Sequence, residues 1–205
     1  MNEALNSFVV LIIVLDPVGV AWLFAAMTVH DTAPQKRSMI LRGVALALFI
    51  LYIFFFAGDA LLTWMGISLP AFRIAGGILL FLLSLEMVFA RQSGLRSTTR
   101  GEQDEAQRKD DISVFPLAFP LLAGPGALTT IILMTAQAQS TSEKLIYCAV
   151  ILAACLITLV ILLMSPKITS LLGQTGSNVI SRLLGLVLSA LAVQFVIDGI
   201  RQSFS

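Results

Sequence analysis

Ionisable side chains are scarce in this sequence. Its 205 residues hold 13 Lys and Arg, 12 Asp and Glu, and 1 His. Charged residues make up 12%, where an average soluble domain carries roughly 25%. The net charge of +1 supplies no basic field, so no nucleic-acid partner is expected. Cysteines number 2. Cys148 and Cys155 sit two helical turns apart in one apolar run, about 10 Å, too far to bridge each other. They read as small residues facing core or lipid. The one histidine, His30, falls in a polar connection. The sequence contains no His-Glu-x-x-His, no Cys-x-x-Cys and no nucleotide-binding glycine loop. A hydrolase or metalloenzyme is short of parts, so no catalytic residue, metal site or cofactor is expected. Met1 to Ser7 holds Glu3 and no Lys or Arg. A cleaved signal peptide begins with a basic segment, so the first apolar run is expected to stay in the membrane.

What fills the chain instead is apolar. Hydrophobic residues make up 58%, and the mean hydropathy is +0.94. A spanning helix needs about 20 mostly apolar residues. Six segments qualify, at 4–28, 39–60, 69–90, 113–137, 144–165 and 179–201. The polar stretch 166–178 is read as the separator of the last two. The fold class is an all-α integral membrane protein with a single domain, 1–205. Residues 91–112 mix Arg91, Arg96, Arg100, Arg108 and Lys109 with five acidic residues and few apolar ones. They read as a linker outside the membrane. Lys and Arg distribution sets orientation. Lys36, Arg37, Arg42, the linker cations and Lys167 collect on one side, which is therefore expected to be cytoplasmic. Both termini then lie outside, in the periplasm of a Gram-negative cell.

Two helix-breaking elements interrupt long apolar runs: Asp16-Pro17-Val18-Gly19, and Phe115 to Pro120 followed by Gly124-Pro125-Gly126. Breaks are expected at Pro17, Gly19, Pro116, Pro120 and Pro125. Interrupted backbone in hydrocarbon survives only where protein or a cavity satisfies it. Breaks at matching places in two halves mark a substrate site near the bilayer midplane. Three further features pair up in order. Asp16-Pro17 answers Gly124-Pro125. Ala60 to Gly66 answers Lys167 to Gly173. Arg73-Ile74-Ala75-Gly76 answers Arg182-Leu183-Leu184-Gly185. Three spans per half is an odd number, so two copies of a repeat, 1–90 and 113–205, face opposite ways across the membrane. The expected plan is a 3+3 inverted repeat with the first and fourth spans broken.

Candidate site residues follow from the breaks. Asp16 lies deep in its span, where a carboxylate needs a partner, water or a proton. It either caps the half-helix after it or meets a substrate ammonium, a proton or Na⁺. The N–H groups near Val18 and Gly19, and those of Gly126, Ala127 and Leu128 after Gly124, are expected to hold a carboxylate. Thr129 and Thr130 either add hydroxyl contacts or bond back to their own i−4 carbonyls. Trp22 is expected to narrow the pocket. Arg73 and Arg182, near span ends, read as snorkelling residues, with repeat packing or a gate as the alternative. Glu86 reads as a solvated end residue, with a gate partner as the alternative. Gln194 and Asp198 are comparable residues late in the sixth span. Gly76-Gly77 reads as a close helix contact.

These motifs resemble the MarC family of bacterial inner-membrane proteins. The residues that carry the likeness are Asp16 to Gly19, Arg73 to Gly77, Phe115 to Gly126, and Ile180-Ser181-Arg182-Leu183-Leu184-Gly185. The resemblance implies six spans, an inverted repeat related to the LysE-type exporters, and for some members transport of small neutral amino acids. The family's first motif continues with Asn and, two residues later, Pro; Val20 and Trp22 stand there in this chain. The expected function is a secondary transporter working by alternating access. Its expected cargo is glycine, alanine or serine, coupled to H⁺ or Na⁺. Its surroundings are lipid, and a homo-oligomer is compatible with the sequence. A passive pore, or a noncatalytic subunit or sensor docking through the linker, are the rival readings.

Overall fold

The computed structural model describes residues 2–89, 111–138 and 140–204. The linker read at 91–112 lies outside the described residues, apart from its last two. The described chain forms helices α1 (Asn2–Leu15), α2 (Pro17–Met27), α3 (Ala33–Trp64) and α4 (Leu69–Phe89). They are followed by α5 (Ser113–Leu122), α6 (Pro125–Gln137), α7 (Thr141–Leu163) and α8 (Ser165–Ser203).

Local chemistry sets the ends. Before α3, the Thr32 N–H donates to Gln35 Oε1 at 2.9 Å, and Pro34 sits in the first turn, where its missing N–H breaks no bond. α3 stops at Gly66, whose φ of 68° suits glycine. The Ile67 N–H reaches back to Leu62 O at 2.9 Å, the six-to-one bond of a Schellman stop. The Ser140 hydroxyl caps α7 by accepting from the Glu143 N–H at 3.2 Å.

Among the described residues, five stretches are long and apolar enough to cross a bilayer: Ala4–Met27, Ala33–Trp64, Leu69–Phe89, Thr141–Leu163 and Thr175–Ser203. α5 and α6 qualify only together, bent by 56° at the break between them. Five helices and one bent pair therefore stand where six spans were expected. Residues 166–174 lie between the last two spans, Thr141–Leu163 and Thr175–Ser203, as expected, but they are largely helical: Pro166 stands at the start of α8, and the helix is interrupted at Gly173 (φ 59°, ψ −173°). The first break is one residue wide, so Ala4–Met27 behaves as one span, whereas the second is a true bend.

The first span is the central one, with 56% of its apolar window buried against 22–39% for the other four. α1 packs on α7 and α5 on α3; α2 packs on α8 and α6 on α4; α3 also meets α6 and α7. Phe24, Phe55, Leu11, Leu51, Leu117, Ile131 and Ile151 fill the centre. Phe49, Phe56, Leu156, Val160 and Val187 point outward, where lipid replaces water as solvent.

α4 and α8 lie against each other most extensively. A Cβ placed on Gly77 would stand 2.8 Å from Ala192 O, and one on Gly185 would stand 3.1 Å from Ser84 O. Small residues allow such backbone approach between membrane helices. Gly77→Leu is expected to force the pair apart at a cost of about 1–3 kcal/mol. A lower thermal-unfolding midpoint of the purified protein would show it; an unchanged midpoint would contradict the contact.

Candidate functional site

At the first break, Asp16 adopts a left-handed conformation (φ 40°, ψ 64°), which Asp tolerates better than most residues. Pro17 follows with no N–H to give. The ladder closes around them: the Asp16 N–H donates to Ile12 O and the Val20 N–H to Asp16 O, both at 3.0 Å. The Gly19 N–H donates to Asp16 Oδ1 at 3.1 Å, so Asp16 is the N-cap of α2. A side chain at Gly19 would collide with the Asp16 carboxylate. The Asp-x-x-Gly spacing is thereby explained: the carboxylate folds into the space that a Cβ would take. The other carboxylate oxygen, Oδ2, accepts from Ser181 Oγ of α8 at 3.3 Å. Asp16 is 3% exposed. The expectation that Gly19 offers a free amide needs correction, because Asp16 already occupies it. Val18 is half-buried in the first turn of α2.

The second break is built differently. In α5 the Leu117 N–H donates to Ile112 O (3.1 Å) and the Ala123 N–H to Ala118 O (2.8 Å), each five residues back. The backbone is extended at Phe115 and Phe119, and the bonds to Pro116 and Pro120 are cis. Gly124, extended at ψ 174°, precedes α6 and gives it no side-chain cap. A Cβ on Gly124 would strike Pro120 O. The Leu128 N–H donates to Gly124 O at 3.0 Å, so Leu128 is not a free donor, a second correction. The N–H groups of Gly126 and Ala127 belong to the first turn, which an α-helix leaves without internal partners.

Beside this turn lies a narrow cleft. Its walls are Val14 of α1, Leu79 and Leu83 of α4, Pro120–Leu122 of α5, and Gly124–Ala127. Side chains there are apolar; the polar character comes from backbone. The two breaks approach each other, since a Cβ on Gly126 would lie 3.4 Å from Val14 Cγ1. Only Val14 of the first span reaches the cleft wall, however, and Asp16, Val18 and Gly19 do not line it.

Other expected residues are distributed as follows. Thr130 Oγ1 donates to Gly126 O at 2.8 Å, the i−4 back-bond. Thr129 is buried and sets its methyl against Gly76. Trp22 is half-buried in α2. Arg73 does not snorkel: it is 7% exposed, and its Nε is buried with no partner among the described residues. Its neighbours explain this, because Gly76 packs on α6 and Gly77 on α8, trapping the face between them. Arg182, its counterpart, is exposed. Glu86 is 9% exposed, not solvated. Gln194 is exposed and donates to Asp198 Oδ1 at 2.8 Å along its own helix. Sequence reasoning missed Ser181, Val14, Leu79 and Leu83. Ser181 stood inside a quoted motif but bore no sign of its partner 165 residues away. The leucines are indistinguishable from lipid-facing ones until the helices are packed.

Comparison with known proteins now applies. Residues 1–204 match the family described as MarC family integral membrane protein. The chain belongs to the MarC family. Among its MarC relatives, a UPF0056 membrane protein of Methanocaldococcus jannaschii is 37% identical, covering 92% of this chain and 91% of that one. One of Aquifex aeolicus is 34% identical over 96% and 91%. The UPF0056 inner membrane protein YhgN of Escherichia coli K12 is 34% identical over 98% of each. No solved structure matches.

Outside the spans, Asp111 leads into α5. Its carboxylate accepts from the Ser113 N–H at 2.8 Å and pairs with Arg42 of α3 at 3.2 Å. Hydrogen bonds from the Ser113 side chain and backbone, then Arg42, lower its pKa below the usual 3.8. A carboxyl lowered on folding stabilises fully above its unfolded value and loses that contribution as pH falls through the folded one. Asp111→Asn is therefore expected to cost stability at neutral pH, modestly because both partners are exposed. The gap from the parent should vanish well below pH 3.8, as read by unfolding midpoints across pH.

Proposed function

We propose that this MarC protein is a secondary transporter that moves a small neutral amino acid across the inner membrane by alternating access. The observation that carries this reading is the 56° bend between α5 and α6, with an uncapped helix start opening on a cleft inside a membrane-spanning bundle. Such a start seats a carboxylate, here through the N–H groups of Gly126 and Ala127. The narrow space between Val14, Leu80, Leu83 and Gly126 favours a cargo with a short side chain, of the glycine, alanine or serine kind.

Asp16 enters the cycle at another stage. In the present arrangement its oxygens are engaged by Gly19 and Ser181. Release of Ser181 would free one oxygen for a substrate ammonium, a proton or Na⁺. Asp16 is thus the coupling residue of the proposal, and Ser181 its restraint.

A 3+3 inverted repeat supports alternation, and the packing favours one. Exchanging the halves maps α1 on α7 to α5 on α3, and α2 on α8 to α6 on α4, and both members of each pair are present. Gly66 and Gly173, which hold matching places in the two halves, share a left-handed φ. An inner-membrane location accords with the name of the Escherichia coli relative. The Lys and Arg distribution supports an orientation with Lys36, Arg37 and Lys167 on the cytoplasmic side and both termini outside. No enzymatic step is part of the proposal.

The test is counterflow of labelled glycine, alanine and serine in proteoliposomes, with and without Na⁺ and across pH. Saturable counterflow is expected; unsaturable ion current instead would indicate a pore, and no flux a subunit or sensor. Asp16→Asn should remove the pH or Na⁺ dependence while the protein stays inserted. Gly126→Leu should weaken binding more than about tenfold, equivalent to ~1.4 kcal/mol, because its side chain enters the space held by Leu80, Leu83 and Val14.

A further inference from the structure

The contacts between helices fall into two kinds. Between α4 and α8 they bring the two backbones together over 70–84 of α4 and 185–199 of α8: Gly77 on Ala192 O (2.8 Å), Gly185 on Ser84 O (3.1 Å) and Gly199 on Pro70 O (2.9 Å), each measured from the glycine's Cβ position. Three such contacts, spread from Pro70 to Ser84, resist sliding and tilting, since close-packed surfaces do not deform continuously. From this pair to the other helices the contacts are shorter in extent and made by side chains. The Thr129 methyl rests on Gly76, Leu80 and Leu83 rest on Gly126, and Ser181 holds Asp16.

The cleft lies on that boundary. Leu79 and Leu83 belong to the pair; Val14 and the chain from Pro120 to Ala127 belong to the other side. The chain enters each helix of the pair through a left-handed glycine, Gly66 before α4 and Gly173 within α8. A Cβ on either would meet nothing within 4 Å, so no neighbouring helix packs onto these joints, although the Ile67 N–H bond to Leu62 O closes the turn at Gly66.

We propose that α4 and the Thr175–Ser203 part of α8 move as one rigid pair against α1–α3 and α5–α7, turning at Gly66 and Gly173, and that this movement opens and closes the cleft. It is a hinged rigid-body change in which a few backbone positions absorb the rotation. The Asp16–Ser181 bond is a restraint on it. The proposal rests on the transporter reading only in treating the cleft as the route of passage; the movement itself is measurable without a cargo.

The experiment uses double electron–electron resonance on the full chain in lipid nanodiscs, with Cys148→Ala and Cys155→Ala as background. Spin labels go on exposed residues. Ile78→Cys with Val193→Cys reports within the pair; Leu82→Cys with Leu156→Cys, and Leu186→Cys with Ile53→Cys, report across the boundary. Each is measured with and without Ser181→Ala. The expected result is one narrow distance within the pair that Ser181→Ala leaves in place. Across the boundary, two distances or a shift on Ser181→Ala are expected. A single unshifted distance across the boundary, or a change within the pair, overturns the proposal. A moving boundary without amino-acid counterflow would defeat the transporter reading alone. Counterflow with a fixed boundary would defeat this one alone.

Discussion

Backbone hydrogen bonding in hydrocarbon governs this protein. Lipid offers no partner to a free N–H or C=O, so each interruption of a helix must be answered by protein. The two breaks are answered in opposite ways. At Asp16 the side chain supplies the missing acceptor, and α1 and α2 together still make one span. Between α5 and α6 no side chain caps the helix, wide turns take up some of the backbone groups, and the chain bends. One break is closed by its own carboxylate; the other is left open to a cleft. That asymmetry keeps the buried Asp16 carboxyl apart from the apolar cleft beside the second break.

Glycine has a second role beside the breaks. Gly77, Gly185 and Gly199 bring α4 and α8 into backbone contact, while Gly76 receives the methyl of Thr129. The same residue type therefore builds the tightest interface and shapes the neighbouring boundary. The apolar contacts at that boundary place Leu79 and Leu83 against the mouth of the second break. Their burial is a matter of packing, since hydrophobicity alone gives no preference between lipid and protein interior.

Much of the fold was legible because lipid imposes long apolar runs, and proline and glycine mark where they fail. The spans, the breaks at Asp16-Pro17 and Gly124-Pro125, and the MarC motifs were all visible in the residues. Other features were not. Stretch 166–178 is polar enough to pass for a loop, yet nothing in it forbids a helix until Gly173, and Pro166 is harmless in a first turn. Arg73 and Glu86 sit near span ends, where solvation is the usual outcome; only the packing of α4 buries them. Which amides at a break remain open was also hidden. The sequence left Asp16 two roles, cap or ligand, and geometry decides for the cap by committing the Gly19 N–H to it; that Leu128 is committed to Gly124 O was not visible.

The union of α4 with α8 also bears on biogenesis. α4 is synthesised more than a hundred residues before the glycines of α8 that receive it. Until those glycines exist, Gly77 has no α8 backbone to pack against. The two helices can therefore pair only after both have been made, and until then the nascent chain must hold an arginine-bearing helix in the membrane.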